Sequence, residues 1–593
     1  MKIEFNTIRL LENILNDVAK KIGVPADVFN PDVRVSDPRF GDLQANGVLA
    51  AAKRSRQNPR ELAEKFVAEL NAMNEGQFET IGISGPGFLN FKLSLDYHKA
   101  YFLRYCNGKF FDNYKNANYS QKNIIIDYPS PNTAKQMHVG HLRILVIGEA
   151  ISRLLEFCGA KVVRDNHIGD WGTNFGILIF EIKRTNYQFN SDDAKTLEEL
   201  ENLYKSGTAY CKDEENHTGA LDEARMELVK LQQGDAENLE LWQHIVRVSN
   251  SACEKIYSLF GVHPDVTLGE SFYRDKVQRV YNELTSLGIA EEDDGALVVW
   301  QKPEDKEKGN VAPFIIRKKD GGSNYGSTDL ATVLYRSEHF NADEVIYVTD
   351  DRQQEHFKML FATVSRWFTQ KNYPVPNLHH VTFGKILGED GKPIKTKSGE
   401  SIKLKALINE AVERALEIVK EKNPELSNEE MQKIAETVGI SSIKYADLLQ
   451  NRTLDYMFSW KRLLAFEGNT APYLLYAVVR INSVFKKLGF NFEDYLDKEV
   501  SVESLSEPAE VDLIKKLATF ENVINLSASE LKLHYICTYI YELAGLFSVF
   551  YSKCKVNSED ISVRDFRLKL CAVTANVLTR CLKILAIDTL EKM

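Results

Sequence analysis

The stretch Ser130–Gly176 decides the fold of this chain, and it reads SPNTAKQMHVGHLRILVIGEAISRLLEFCGAKVVRDNHIGDWGTNFG. The apolar run Asn123–Asp127 precedes it and predicts a buried strand of a parallel sheet. From Leu142 onward apolar residues recur at helical spacing, which predicts a helix to about Phe157, and the next strand begins at Lys161. A strand, a loop, a helix and a strand in this order indicate the start of a doubly wound α/β domain.

The start of that helix predicts a phosphate site. At the N-terminus of a helix, free backbone N–H groups and the positive end of the helix dipole attract a phosphate group. His138 and His141 are three residues apart, so both imidazoles lie on one face of the first turn and can donate hydrogen bonds to phosphate oxygens. Gly140 leaves room for a ribose or a base. Taken alone, the His-x-Gly-His pattern equally describes a helix end with two exposed histidines.

The whole-chain composition restricts the class of protein. A length of 593 residues predicts three or four domains, and 44% hydrophobic with 27% charged residues is typical of a globular protein. We find no apolar run of membrane-spanning length, so no membrane partner is expected. The eight cysteines are scattered without zinc-type spacing, which predicts reduced thiols, a cytoplasmic location and no protein-bound metal. The net charge of -10 argues against non-specific nucleic-acid binding and leaves room for local basic surfaces.

The residues around the two histidines narrow the interpretation. With Ser130–Asn132 ahead and Asn166–Gly172 behind, the segment resembles the signature of class I aminoacyl-tRNA synthetases, and the arginyl family in particular. The resemblance implies an α/β protein with a Rossmann-like parallel-sheet catalytic domain, a small N-terminal α/β domain and an all-helical C-terminal anticodon-binding domain. The expected domains are 1–115 (N-terminal, tRNA-contacting), 116–400 (catalytic, with a helical insertion at about 186–240), 401–455 (helical connection) and 456–593 (anticodon-binding).

Tyr325 and Asp329 are candidates for binding arginine. They are four residues apart, so one helical turn places the phenol and the carboxylate on the same side, and a carboxylate pairs well with a guanidinium. The pair resembles the arginine-binding motif of the family, although a helix cap and a core tyrosine would give the same pattern. The resemblance also assigns Asn132, Asn166 and Gln353 to arginine, with Gln354 taking the place of Gln353 if the register differs by one. It places His356 beside the adenosine.

A lysine-rich loop follows at residues 391–399. Glycine-bounded lysines can reach the phosphates of ATP. Residues 394–398 resemble the KMSKS loop of the family but lack its first lysine, and Lys135 just ahead of His138 is the expected substitute. The resemblance thus implies His138, His141, Lys135 and Lys397 as catalytic residues. ATP is expected to contact His138, Gly140, His141, His356 and Lys397.

The C-terminal part offers candidates for binding RNA. Residues 468–477 read GNTAPYLLYA, so Tyr473 and Tyr476 begin a helix and Arg480 follows one turn later. Aromatic faces and an arginine suit the stacking of single-stranded bases, although aromatics at this spacing also occur in cores. The run resembles the anticodon-binding domain of arginyl enzymes. In the N-terminal part, the basic cluster 53–56 fits either a tRNA contact or a solvated face.

The resemblance implies an arginine–tRNA ligase. Such an enzyme activates L-arginine with ATP, supplied as its Mg²⁺ complex, to arginyl-adenylate and then transfers arginine to the 3′ end of tRNA(Arg). A monomer is the habit of the family. Two alternatives stay open at this point, a synthetase for another amino acid and a non-catalytic RNA-binding paralogue. Against the first, the chain has no cysteine-rich site for zinc, which cysteinyl and methionyl enzymes usually have. Against the second, a non-catalytic paralogue has no reason to keep His138, His141 and Lys135.

Overall fold

A computed structural model describes residues 1–37, 39–302, 312–319, 321–392, 394, 402–505 and 507–593. These residues form two compact units. One unit contains Met1–Asn116, Phe466–Lys583 and Thr589–Met593, and the other contains Ala117–Ala465 with Ile584–Asp588.

The N-terminal segment has an antiparallel sheet in the order β1-β2-β4-β3. Its strands are β1 (Val33–Val35), β2 (Leu43–Ala45), β3 (Phe78–Ser84) and β4 (Phe88–Leu93). Four helices accompany the sheet: α1 (Thr7–Lys21), α2 (Gly47–Ser55), α3 (Pro59–Met73) and α4 (Leu95–Tyr105). The small α/β arrangement predicted for this segment is confirmed. Lys53, Arg54 and Arg56 are exposed at the end of α2.

A parallel sheet organises the second unit. It has the order β11-β10-β5-β6 and consists of β5 (Asn123–Asp127), β6 (Lys161–Asp165), β10 (Glu344–Asp350) and β11 (Asn377–Phe383). Ile125 is fully buried and pairs with Val163 on one side and Val345 on the other. Three more strands, β7 (Glu291–Asp293), β8 (Ala296–Val299) and β9 (Phe314–Arg317), form a separate antiparallel sheet. Short strands β12 (Ile386–Leu387) and β13 (Tyr456–Met457) pair with each other.

The predicted strand–helix–strand unit is present at β5, α5 and β6. Helix α5 (Leu142–Phe157) begins and ends where the apolar spacing places it. Gly159 follows the helix with a φ of +94°, a left-handed conformation that suits glycine and turns the chain into β6. The other helices of this unit are α6 (Asn174–Thr185), α7 (Asp193–Lys212), α8 (Ala220–Gln233), α9 (Ala236–Phe260), α10 (Glu270–Tyr273), α11 (Val277–Ser286), α12 (Tyr325–His339), α13 (Gln354–Lys371), α14 (Leu404–Lys422), α15 (Asn428–Leu448) and α16 (Trp460–Leu463).

A buried ionic cluster fixes the ends of two central strands. The Arg336 guanidinium lies 2.6 Å from Asp127 Oδ2 and 2.7 Å from Asp165 Oδ2, and Arg336 is fully buried. Asp127 and Asp165 are the last residues of β5 and β6 and pair with each other. Because one buried guanidinium bonds to both buried carboxyl groups, the cluster holds the two strand ends in register below the loops that follow them.

The described residues after Phe466 form helices. These are α17 (Ala471–Leu488), α18 (Phe492–Asp497), α19 (Pro508–Leu517), α20 (Phe520–Glu530), α21 (His534–Lys553) and α22 (Ile561–Ile584), as expected for an all-helical C-terminal domain. Within the described ranges, none of the helices has the length and apolar character needed to span a membrane.

Candidate active site

The candidate residues of the second unit follow the carboxyl ends of its parallel strands. β5 leads to the loop that carries His138, β6 leads to Asn166, and β10 leads to Gln353 and His356. Parallel strands bring these ends to one edge of the sheet, which is where open α/β sheets bind ligands.

A set of hydrogen bonds shapes the loops after β5 and β6. Ser130 Oγ donates to Asp127 Oδ1 at 2.7 Å and accepts from the backbone N–H of His167 at 3.1 Å. The backbone N–H of Ser130 donates to Asn166 Oδ1 at 3.1 Å, and Asn166 Nδ2 is 3.4 Å from Thr267 Oγ1. Asn166 is buried, so the structure uses its side chain to join the loops. Its expected contact with arginine stays a prediction.

His138 and His141 face each other across a single 3₁₀ turn, Val139–His141, that leads into α5. Their ring centroids are 4.1 Å apart. The backbone N–H of Gly140 donates to His138 Nδ1 at 3.0 Å, and the backbone N–H of His138 donates to His141 Nδ1 at 3.1 Å. Since a backbone N–H only donates, His138 Nδ1 accepts, and the neutral His138 ring carries its proton on Nε2. His141 Nδ1 also lies 3.3 Å from His138 O, so the turn presents the Nε2–H donor of His138 beside the imidazole of His141.

Both imidazoles are held in the neutral form. Burial lowers the pKa of His141 to about 4, with a smaller contribution from His138. Burial also lowers the pKa of His138, and the positive charge of Lys403 adds to the effect. Neutral imidazoles donate without requiring a proton from solution, so they can stabilise charge that develops on phosphate oxygens.

A pocket of about 340 Å³ opens beside these rings. Lys135 and Asn132 line it with His138 and His141, as the sequence predicts. The Lys135 ammonium also lies 5.0 Å from the ring centroid of Tyr204. Gly140 is exposed, and a Cβ there would lie only 2.7 Å from His138 Cε1, so any side chain at this position would displace the His138 ring. Lys397, which the sequence also assigns to phosphate, lies outside the described residues.

The same pocket contains three charged residues that the sequence analysis did not assign to it. They are Glu201 and Lys205 of α7, and Lys403 just ahead of α14. Helix α7 belongs to the insertion, to which the sequence analysis assigned no site residue. Its apolar side packs in the core through Leu197 and Leu200, and its polar side lines the pocket of His138. A position near a lysine-rich loop was the only sequence signal for Lys403, and Glu201 had none.

Asp329 is the centre of a second group of side chains. His356 Nε2 donates to Asp329 Oδ2 at 2.6 Å, and His167 Nε2 lies 4.0 Å from Asp329 Oδ1. The ring of Tyr325 lies edge-on to His356 at 4.8 Å, and Tyr325 is 65% exposed. Tyr325 and Asp329 thus share one side of α12, as predicted. His356 contacts Asp329 rather than lining the pocket of His138, and its expected adenosine contact stays a prediction.

Glu270 is a further acidic residue of this group that the sequence analysis missed. Burial, together with the charges of Asp329 and Asp170 and against the opposing effect of His167, raises the pKa of Glu270 to about 7. A carboxyl group in such surroundings favours a bound cation. No local motif marks Glu270, because its neighbours come from two other segments of the chain, residues 167–171 and helix α12.

Gln353 lies at the end of the turn Asp351–Gln353, directly ahead of α13. Its side chain is exposed. The structure puts it on the correct edge of the sheet, and the choice between Gln353 and Gln354 stays open. No group of three or more histidine, cysteine, aspartate or glutamate side chains suited to a metal ion occurs among the described residues.

The tyrosine group of the C-terminal helices lies in the other unit. Tyr476 is 44% exposed on α17. Tyr473 lies 5.7 Å from Tyr541, and the Arg480 guanidinium lies 4.4 Å from the ring of Tyr551, both on α21. Two helices therefore build this aromatic and basic surface, and Tyr476 is the residue that extends from it.

Comparison with known proteins decides the family. The family model for the catalytic domain of class I (R) tRNA synthetases matches residues 110–460. An arginine–tRNA ligase of Idiomarina loihiensis is 40% identical over 592 residues, which is 99% of each chain. The chain belongs to the arginyl-tRNA synthetase family. The family models of the arginyl tRNA synthetase N terminal domain and the DALR anticodon binding domain match residues 9–93 and 474–593.

Other members of the family agree in sequence and fold. An arginine–tRNA ligase of Chromobacterium violaceum is 42% identical over 94% of this chain and 95% of its own. The arginyl-tRNA synthetase of Plasmodium falciparum has a crystal structure that matches all of both chains with a TM-score of 0.83 at 28% identity. The Thermus thermophilus arginyl-tRNA synthetase, at 22% identity, shares the fold with a TM-score of 0.80 over 99% of this chain and all of its own. The predicted fold class is confirmed.

Proposed function

We propose that arginine is activated at the carboxyl edge of the parallel sheet, between the pocket of His138 and the acidic group of Asp329. The chain is a class I arginine–tRNA ligase: it uses ATP to charge tRNA(Arg) with arginine. The observation that carries the proposal is the pair of imidazoles of His138 and His141, which line one pocket together with lysine side chains.

The first step is an in-line displacement. The arginine carboxylate attacks the α-phosphorus of ATP, the bond to the bridging oxygen breaks, and pyrophosphate leaves with that electron pair. His138, His141, Lys135 and Lys397 are the proposed phosphate ligands, and they act by placing charge and donors rather than by covalent bonding. Mg²⁺ is proposed to enter with ATP as part of the substrate.

The arginine side chain is proposed to bind at Asp329 and Glu270. His356 holds one carboxylate oxygen of Asp329, which leaves the other to accept from the guanidinium. Glu270 supplies a second carboxylate, and the exposed Tyr325 covers the site. Two carboxylates around one guanidinium provide a planar set of acceptors that a lysine or a neutral side chain would not satisfy. Asn132, Asn166 and Gln353 are proposed to contact the backbone part of arginine.

The second step transfers arginine from the adenylate to tRNA. The terminal ribose hydroxyl of the tRNA attacks the arginyl carbonyl carbon, and AMP leaves. Tyr473, Tyr476 and Arg480 are proposed to bind the anticodon loop, with Tyr476 stacking on a base. We also propose that the chain acts in the cytoplasm as a monomer, in keeping with its eight free and buried cysteines.

Arginine-dependent exchange of pyrophosphate into ATP tests the first step, measured with and without tRNA(Arg). Exchange with arginine and not with lysine or methionine supports the proposal, and absence of exchange under both conditions with tRNA still bound would point to a non-catalytic RNA-binding protein. In the same assay, Asp329→Ala should raise the KM for arginine far more than the KM for ATP. Equal effects on both would remove Asp329 from the arginine site.

A further inference from the structure

The segment around Lys403 is fixed against the turn that carries the two histidines. The backbone N–H of Val139 donates to Ile402 O at 2.9 Å, and the backbone N–H of Leu404 donates to Met137 O at 3.0 Å. His138 and Lys403 pair as an antiparallel β-bridge between these bonds. The backbone of Met137 and Val139, on either side of His138, thus sets the position of Lys403.

The side chain of Lys403 lies on the phosphate side of the site. It lines the pocket with His138, His141 and Lys135. Among charged groups, Lys403 has the largest effect on the pKa of His138, which places its ammonium close to that ring. Its side chain is 33% exposed, so the ammonium remains accessible from the pocket.

Glu201 of the insertion helix α7 determines where this ammonium lies. The Lys403 Nζ atom is 2.6 Å from Oε1 and 2.5 Å from Oε2 of Glu201. The backbone N–H of Gln136, in the loop ahead of His138, also donates to the Glu201 carboxylate. Burial alone would raise the pKa of Glu201, but its bonds to Lys403, with the charge of Lys205 at 3.6 Å and the Gln136 N–H, outweigh burial and lower it, so the carboxylate stays charged.

We propose that Lys403 is an additional phosphate-binding residue for ATP and that Glu201 is the positioning residue that holds it beside His138. This inference rests on the proposed function, because it deepens the same ATP site. A lysine ammonium has three donors, so Lys403 can keep its bond to Glu201 while it donates to a phosphate oxygen. It therefore compensates, together with Lys135, for the lysine that residues 394–398 lack. The insertion helix acquires a function in substrate binding through Glu201.

The test compares Lys403→Met with Lys405→Met in arginine-dependent ATP–pyrophosphate exchange. Lys405 is exposed two residues further on, so its variant removes the same charge outside the pocket. We expect K403M to raise the KM for ATP by about tenfold, the value of a charge-assisted hydrogen bond that is partly exposed to water, and to leave the KM for arginine unchanged. K405M should match the unmodified enzyme. Lys403→Arg should recover most of the loss, because the guanidinium can reach both Glu201 and a phosphate.

Adenosine serves as the probe that lacks phosphate. Its inhibition constant should be the same for K403M and the unmodified enzyme, since the proposed contact needs a phosphate oxygen. Glu201→Gln should raise the KM for ATP by less than K403M does, and the double variant should be no weaker than K403M, because Glu201 acts through Lys403. Glu198→Gln, an exposed change on the same helix, is the matched control.

The outcomes separate this inference from the proposed function. If the unmodified enzyme shows no arginine-dependent exchange, the proposed function fails. If it exchanges normally and K403M keeps its KM for ATP within about twofold, or loses affinity for adenosine as strongly as for ATP, Lys403 is not a phosphate ligand. A lower KM for ATP in E201Q would show that Glu201 competes with the nucleotide for Lys403 and would overturn its positioning role.

Discussion

The affinity for arginine should depend on pH through Glu270. Burial and the neighbouring carboxylates Asp329 and Asp170 raise the pKa of Glu270 to about 7, so near neutral pH much of it is protonated in the free enzyme. A bound guanidinium favours the ionised form and lowers that pKa. Arginine binding therefore releases a proton, and arginine binds more tightly as the pH rises through 7.

The magnitude follows from the fraction of Glu270 that is ionised. At about one pH unit below its pKa only about a tenth of the carboxyl groups carry charge, so the KM for arginine should be about tenfold higher at pH 6 than on the plateau above pH 8. The same raised pKa means that the free folded enzyme holds a proton that the unfolded chain has lost between about pH 4.5 and 7. Glu270 thus makes the free enzyme less stable as the pH rises through that window.

The assay is the KM for arginine in ATP–pyrophosphate exchange at pH 6, 7 and 8, with the KM for ATP measured in parallel. The pKa of His141 is lowered to about 4 and that of His138 is also lowered, which favours neutral imidazoles, so the KM for ATP should not follow the arginine profile. Glu270→Gln should give a high KM for arginine that no longer changes with pH. Glu254→Gln, an exposed change on α9, should keep the normal profile.

A flat profile in the unmodified enzyme, or a profile that survives in E270Q, would refute this reasoning. The second result would assign the titration to a group other than Glu270.

Three other changes test separate parts of the structure. Gly140→Ala should lower kcat by about 10–100-fold, since the new methyl group displaces the His138 ring, whereas Gly545→Ala, where nothing lies within 4 Å, should have no effect on exchange. Asp447→Asn should destabilise the catalytic unit by about 3 kcal/mol, measured by urea unfolding, because it removes the charge 2.8 Å from the buried Arg143 Nε; an unchanged midpoint would contradict a stabilising role for the pair. Tyr476→Ala should weaken tRNA(Arg) binding by about 1–3 kcal/mol in filter binding and leave the KM for arginine unchanged, and equal affinities would exclude base stacking on Tyr476.

The sequence predicts those parts of the fold that depend on local patterns. Helix α5 and its flanking strands follow from the spacing of their apolar residues. An element that buries one face in the core repeats apolar residues with its own period, and that period is visible in the sequence. The rings of His138 and His141 meet because their spacing of three is a property of one turn. The pairing of Tyr325 with Asp329 on α12 follows for the same reason.

The rest of the site depends on contacts between distant segments. Glu201 comes within hydrogen-bonding distance of Lys403 although the two are 202 positions apart in the sequence, and Arg336 joins Asp127 and Asp165 from more than 170 residues away. Periodicity within one segment does not specify such contacts, because the apolar pattern of a segment is the same whichever other segment it packs against. The insertion is an example. Its apolar residues predict that it packs on the core, but only the tertiary structure shows that the polar face of α7 lines the pocket of His138.

In the proposed function, the two groups of charged residues at the sheet edge orient arginine by charge. The pocket of His138 carries Lys135, Lys205 and Lys403 against one carboxylate, and the group around Asp329 carries Glu270 and Asp170. Arginine has a cation at one end and a carboxylate at the other. A guanidinium drawn to Asp329 leaves the carboxylate facing the lysines and the phosphates they bind, which is the direction of attack on ATP. Orientation by opposite charges also explains why the enzyme needs no covalent nucleophile: once both substrates are held, the reacting atoms are already in line.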